Sequence, residues 1–236
     1  MKSFIGVYNN YPEVSTRTGI SLANEGGGFD VLGNEPVSST GQGRTWGMEF
    51  YVQKKLVKKI FAVLSYTFVR SEFSGANGKL ISSAWDYRHL ISGLLGKKFN
   101  KGWELGLKYR FAGGAPYTPF DMTLSQLNFP TTGTGVLDYT QLNSNRLINF
   151  NQLDIRIDKK FYYKRSTLDL YIDLVNAFGF PNPSLPNYSF KRTEDNSSFE
   201  TTDGQPLQQD GSNGIPVILQ DNSAIVTPSI GFIFEW

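Results

Sequence analysis

The sequence predicts an all-β chain: an antiparallel up-and-down β-barrel segment that crosses a membrane on about eight strands, with short turns at one end and long loops at the other. Three observations predict it. Apolar and polar side chains alternate with a period of two along successive stretches. The breaks between those stretches are alternately short and long. Along the clearest stretch the apolar positions are aromatic near the ends and aliphatic in the middle, as expected of interfacial girdles flanking an apolar band.

The bulk composition is consistent with this class. The 236 residues could make one large β domain or two ordinary ones. Gly, Asn, Ser, Thr and aromatic residues crowd the chain, and long Ala/Glu/Lys/Leu stretches at helical spacing are missing. No run approaches the ~18 apolar residues of a membrane helix, so a membrane reading requires strands, which cross with about 9–11 residues each. A net charge of +2 is too small to argue for a nucleic-acid partner. With no cysteine, disulfides, thiolate catalysis and cysteine metal sites are excluded. Met1 to Tyr8 is too short for the apolar core of a secretory signal. The expectation is that a signal has been removed or that the chain is the tail of something longer.

Taken in order, Phe4 to Tyr8 reads as the end of a strand, followed by a Gly-, Asn-, Ser- and Thr-rich loop through Gln42 that includes Asn24-Glu25-Gly26-Gly27-Gly28. From Arg44, Trp46, Met48, Phe50 and Val52 alternate with Gly47, Glu49, Tyr51 and Gln53. A basic turn near Lys55, with Lys54, Lys58 and Lys59, leads to a strand whose apolar side is Ile60, Ala62, Leu64, Tyr66 and Phe68. Ser71 to Asp86 is a polar loop. Tyr87 to Phe99 is less clean because both parities carry Leu; Ile91, Leu95 and Phe99 are assigned to the apolar side. After the turn Asn100-Lys101-Gly102, the apolar residues Trp103, Leu105, Leu107, Tyr109 and Phe111 alternate without exception with Glu104, Gly106, Lys108, Arg110 and Ala112. Gly113 to Asn149 reads as loop.

The stretch Leu153 to Leu174 then predicts a hairpin with a definite register. If its centre lies between Lys164 and Arg165, Phe161 faces Leu168, Ile157 faces Ile172 and Ile155 faces Leu174, while Lys160 lies opposite Asp169 and Arg156 opposite Asp173. One register satisfies both faces. Ala177 to Thr227 is another long polar segment, in which Tyr188 to Lys191 and Val217 to Leu219 are candidate short strands. Ile230, Phe232, Phe234 and Trp236 close the chain on one parity. The breaks near Lys55, Lys101 and Lys164 are short, and those at 9–42, 72–86, 113–149 and 177–227 are long. Up-and-down membrane barrels pair short periplasmic turns with long external loops.

Tyr11-Pro12 with the Asn24-Glu25-Gly26 region, Gly43 to Glu49 followed by Gln53-Lys54-Lys55, Ser65-Tyr66-Thr67, Trp85-Asp86-Tyr87-Arg88-His89, Gly113 to Thr118, Leu153 to Lys160, Asp173-Leu174-Val175-Asn176, and Pro228 to Gly231 before the terminal aromatics form an ordered series of motifs. In this order they resemble the C-terminal barrel of TonB-dependent outer-membrane receptors of Bacteroidetes type. The likeness covers nearly the whole chain in the expected order. It implies residues 1–236 as a single C-terminal part of a 22-stranded barrel, with the plug domain and signal peptide absent from this sequence. It further implies location in the outer membrane of a Gram-negative bacterium and a share in importing a scarce large solute such as a ferric siderophore, a vitamin or an oligosaccharide. The implied partners are outer-membrane lipid, the barrel assembly machinery and the rest of the receptor, with TonB acting through its plug.

The alternation assigns Trp103, Leu105, Leu107, Tyr109, Phe111, Ile155, Ile157, Leu168, Leu170 and Ile172 to lipid, and Glu104, Lys108, Arg110, Asp154, Arg156, Asp158, Lys160, Asp169 and Asp173 to the lumen. Ile230, Phe232, Phe234 and Trp236 resemble the C-terminal signal read by the assembly machinery. The charged face either lines a solute path or forms a solvated, mutually paired wall. No catalytic, cofactor-binding or metal site is assigned. His89, the only histidine, has Asp86 as its one close candidate partner, and the Asp86–His89 stretch reads as a rim anchor. Asp203-Gly204, Asp210-Gly211 and Asp221-Asn222 fit turn chemistry rather than a twelve-residue calcium loop. Tyr117, Phe120, Phe129 and Tyr139 either stack on a ligand or pack the rim. The alternatives are a complete small eight-stranded outer-membrane protein with a structural or adhesion role, a rim-located hydrolase, and a soluble β-sandwich.

Overall fold

A period-two pattern gives every strand two unlike faces, and strands laid edge to edge in matching parity make one sheet with the same property. The computed structural model, which describes residues 1–14, 19–25 and 36–236, has this architecture. Its eight long strands are β1 (Lys2–Val14), β2 (Val37–Val57), β3 (Ile60–Ser74), β4 (Arg88–Lys98), β5 (Trp103–Ala112), β6 (Phe150–Tyr162), β7 (Thr167–Val175) and β8 (Thr227–Glu235). They pair in sequence order, each antiparallel to the next, as an up-and-down meander. The sheet is open: among the described residues β1 and β8 pair on one side only and not with each other. No helix among the described residues is long and apolar enough to cross a membrane.

The β6–β7 hairpin has the register expected from its two faces. Phe161 pairs with Leu168, Lys160 with Asp169, Ile157 with Ile172, Arg156 with Asp173 and Ile155 with Leu174. The same parity carries through the neighbours: Leu107 pairs with Ile155 and with Leu95, Leu95 with Ala62, and Ile172 with Ile230. Two strands run further than expected. β1 continues to Val14 and β2 begins at Val37, and their ladder reaches Val14 opposite Val37. Residues 37–43 look like loop because Ser, Thr, Gly and Gln offer no apolar parity; the ladder there runs on past the apolar part of the sheet. Gly26-Gly27-Gly28 lie outside the described residues.

The first short turn also differs from expectation. It falls at Lys58-Lys59 rather than near Lys55, because Leu56 and Val57 extend β2 and Lys54 stays in register opposite Ala62. Lys58 and Lys59 have φ of 51° and 67°, so both central residues of this two-residue hairpin are left-handed, a geometry that favours Asn-Gly. Lys101, in the second short turn, has φ of 59°. The third turn spans 163–166 and is closed by Tyr163 N–H donating to the Ser166 carbonyl.

Left-handed backbone costs a residue bearing a Cβ about 1–2 kcal/mol. Replacing Lys58→Asn together with Lys59→Gly is therefore expected to raise the unfolding free energy by about 1–2 kcal/mol. Urea unfolding in detergent micelles measures this; an unchanged midpoint would mean that the turn stores no strain.

Candidate functional site

The charged face is the more covered of the two. Phe61, Leu94, Glu104, Lys108, Asp154, Arg156, Asp158, Asp173 and Val175 line a groove of about 390 Å³ across β3 to β7. Asp158 and Asp169 are each 8% exposed, whereas Trp103, Leu170 and Ile172 on the apolar face are 47%, 43% and 50% exposed. A water-soluble half-buried sheet has the reverse arrangement, with its apolar face covered. All nine residues assigned to the lumen share the charged face, and all ten assigned to lipid share the other. Ile230, Phe232 and Phe234 pair with Ile172, Leu170 and Leu168, so they continue the apolar face.

Most charges in the groove are paired with one another, though Arg110 Nε and Asp169 Oδ1 are buried without a hydrogen-bond partner among the described residues. Glu104 meets Lys98 at 3.2 Å and Lys160 at 3.3 Å, and Lys160 reaches Asp169 at 3.8 Å. Lys108 lies 3.7 Å from Asp154. Arg156, although opposite Asp173 in register, turns along its own strand to Asp158 at 2.7 Å and lays its guanidinium 3.8 Å from the Tyr171 ring centroid. The Tyr171 ring occupies the space over Gly231, as the Phe61 ring does over Gly96. Arg110 donates to Gln152 at 2.7 Å. Exposed pairs of this kind contribute only about 0–1 kcal/mol each. Together they form a wet, hydrogen-bonding wall of nearly balanced charge.

Above the groove the long loops are tied to the strand ends by buried polar side chains. Asp86 is fully buried and accepts from Ser71 N–H at 3.0 Å, Ser82 Oγ at 3.1 Å, Arg70 at 3.2 Å and Arg146 at 2.7 Å. Arg70 also reaches Glu72 at 2.9 Å, and Glu72 reaches Arg44 at 2.8 Å. Asn24, also fully buried, donates to the Phe73 and Ile81 carbonyls, and Asn143 donates to the carbonyls of Asn24 and Ser82. Arg146 donates in addition to the Gly114 carbonyl. The backbone passes so closely here that a Cβ on Gly113 would stand 2.2 Å from the Tyr87 carbonyl oxygen, and one on Gly114 would stand 1.9 Å from that of Leu147. Asn176, with φ of 55°, clasps the base of the last loop through Phe180 and the Ile225 carbonyl. His89 accepts or donates to Tyr66 Oη at 2.9 Å and packs against Phe68; Asp86 binds the two arginines instead.

The two longest loops share a core. Helix α1 (Met122–Thr132) is capped by the Asp121 side chain at its start and by left-handed Gly133 at its end. Its Phe129 packs on Tyr188, Phe190 and Phe199 with ring centroids 5.1–6.0 Å apart, and Phe120 joins through Tyr188. Asn187–Phe190 pairs with Pro216–Leu219, as the candidate short strands suggested. Phe120 and Phe129 thus pack the rim. The loop carboxylates make turns. Asp203, Asp210 and Asp221 accept backbone N–H groups two residues on, which hold them below the usual carboxylate range. Thr193 Oγ1 and both Ser197 donors pull Asp195 down to about 2. Among the described residues no group of three or more His, Asp or Glu side chains is arranged to hold a metal.

Comparison with protein families, with curated proteins and with solved structures finds no match to this chain.

Removing the Asp86 carboxylate takes one acceptor from each of two guanidiniums, leaving Arg70 with Glu72 and Arg146 with backbone carbonyls. Breaking a fully buried pair costs about 3–5 kcal/mol, and with Arg70 26% and Arg146 24% exposed the expected loss for Asp86→Ala is about 2–3 kcal/mol. Denaturant unfolding with protease probing of 113–149 measures it; a loss below that of an ordinary surface substitution would remove Asp86 from its anchoring role.

Proposed function

We propose that the chain is part of the wall of an outer-membrane β-barrel, contributing eight strands of a TonB-dependent transporter that imports a scarce large solute. The observation that carries the reading is the sheet's inversion: Trp103, Ile157, Leu170 and Ile172 on the apolar face are 43–50% exposed, while Asp158 and Asp169 on the largely paired charged face are each 8% exposed. Hydrocarbon on the outside and water within explain that inversion, and a soluble sandwich does not. The unpaired edges of β1 and β8 favour membership of a larger barrel over closure as a self-contained eight-stranded one. The transporter assignment rests on the ordered motif resemblance.

In this reading outer-membrane lipid contacts the apolar face, and the remaining strands of the receptor pair with the two edges. The plug, on which TonB pulls, occupies the space before the charged wall. The assembly machinery reads Ile230, Phe232, Phe234 and Trp236. The chain itself performs no catalysis; its part is wall, rim and a share of the binding surface.

Two substitutions three residues apart on β5 test the faces. A Lys at mid-depth on the lipid side costs about 2–4 kcal/mol, so Leu107→Lys should impair refolding into detergent far more than Glu104→Lys. Equal tolerance would sink the assignment. Deleting Trp236 should slow insertion by the assembly machinery, and an unchanged rate would remove the terminal-signal reading.

A further inference from the structure

The two borders of the apolar face are charged in different ways. Toward the long loops three arginines meet carboxylates: Arg44 with Glu72, Arg70 with Glu72 and Asp86, and Arg146 with Asp86. At the short-turn border, Lys54, Lys97 and Lys159 stand on the apolar face itself, in register with Ala62, Leu105 and Trp103. None of the three is ion-paired among the described residues. Glu104, Asp158, Asp169 and Glu235, the strand carboxylates of this end, lie on the opposite face, where the first three engage Lys98, Lys160 and Arg156.

Two of these lysines lie beside aromatic rings. Lys97 Nζ is 4.9 Å from the Phe99 ring centroid, and Lys159 Nζ is 5.0 Å from that of Trp103 and 5.3 Å from that of Phe161. An ammonium held on an aromatic ring at the edge of an apolar band is placed at headgroup depth, with its methylenes against acyl chain. The turns add more cations, Lys58, Lys59 and Lys101, and all three occupy left-handed backbone where Gly or Asn would be less strained. Turn geometry therefore does not account for lysine at those positions.

We infer that this border is a binding belt for the phosphate groups of anionic lipid, with Lys54, Lys97 and Lys159 as its direct contacts and the turn lysines extending it. The inference rests on the membrane-spanning reading and adds to it a lipid preference. Surface cations attract anionic lipid cumulatively, and salt weakens the attraction.

The test follows insertion of the full chain, diluted from urea, by tryptophan fluorescence into vesicles of phosphatidylcholine alone or with added phosphatidylglycerol. Anionic lipid should accelerate insertion about tenfold at low salt, and high salt should abolish the gain. The triple variant Lys54→Gln, Lys97→Gln, Lys159→Gln should insert into phosphatidylcholine yet lose the acceleration, while the triple Lys→Arg variant keeps it. No acceleration of the wild type, or equal acceleration of the Gln variant, overturns the belt and leaves the membrane reading standing. Failure to enter either vesicle overturns the belt.

Discussion

Agreement of parity across seven strand pairings is the constraint on which the sheet depends. Side chains alternate with a period of two, so a slip of one residue at any pairing would exchange Leu107 with Lys108 or Ile172 with Asp173. Every strand beyond the slip would then present charge where its neighbours present hydrocarbon. The registers that prevent this are enforced from both sides: aliphatic residues stack across the apolar face, and Lys160, Glu104 and Asp169 interlock across the charged one. Neither set of contacts needs to be strong individually. Both sets fail together at any odd slip.

The two faces then demand different surroundings. The apolar side ends in polar pairs toward the loops, Tyr109 with Asn151 and Tyr66 with His89, and in lysines toward the turns. Between those limits it is aliphatic. The charged side needs water or polar protein against it, since its pairs are too long and too exposed to replace hydration outright. A single solvent cannot suit both.

The hairpin register was legible because two independent patterns, apolar and charged, select the same alignment. Lys160 opposite Asp169 and Ile157 opposite Ile172 could be written down without coordinates. The first turn was misplaced because a lysine cluster resembles a break, although Lys54 and Lys55 are strand residues at the edge of the apolar band. Helix α1 was missed because it has no apolar stripe at helical spacing and carries Pro130; only Asp121 and Gly133, at its two ends, betrayed it. The Asp86 lock was legible as an anchor but not in its partners, since Arg146 comes from sixty residues away in sequence. Arg156 was aligned correctly, yet its choice of Asp158 over Asp173 follows from stacking on Tyr171, which strand periodicity does not encode.

The aromatic core shared by α1 and the Asn187–Phe190 hairpin bears on how such a surface can diversify. On the outer-membrane reading proposed above these loops face outward, and independent surface loops can be lengthened or exchanged one at a time. Here Phe129 belongs to one loop, Tyr188, Phe190 and Phe199 to another, and Gln126 donates to the Gly211 carbonyl between them. A change in either loop that alters this core is felt by its partner, so the two are bound to drift as one. Freedom to vary is left to the exposed tips around Glu194 to Ser197 and Asp203 to Gln205, which are held by Asp195 and Asp203 and by nearby residues of the same loop.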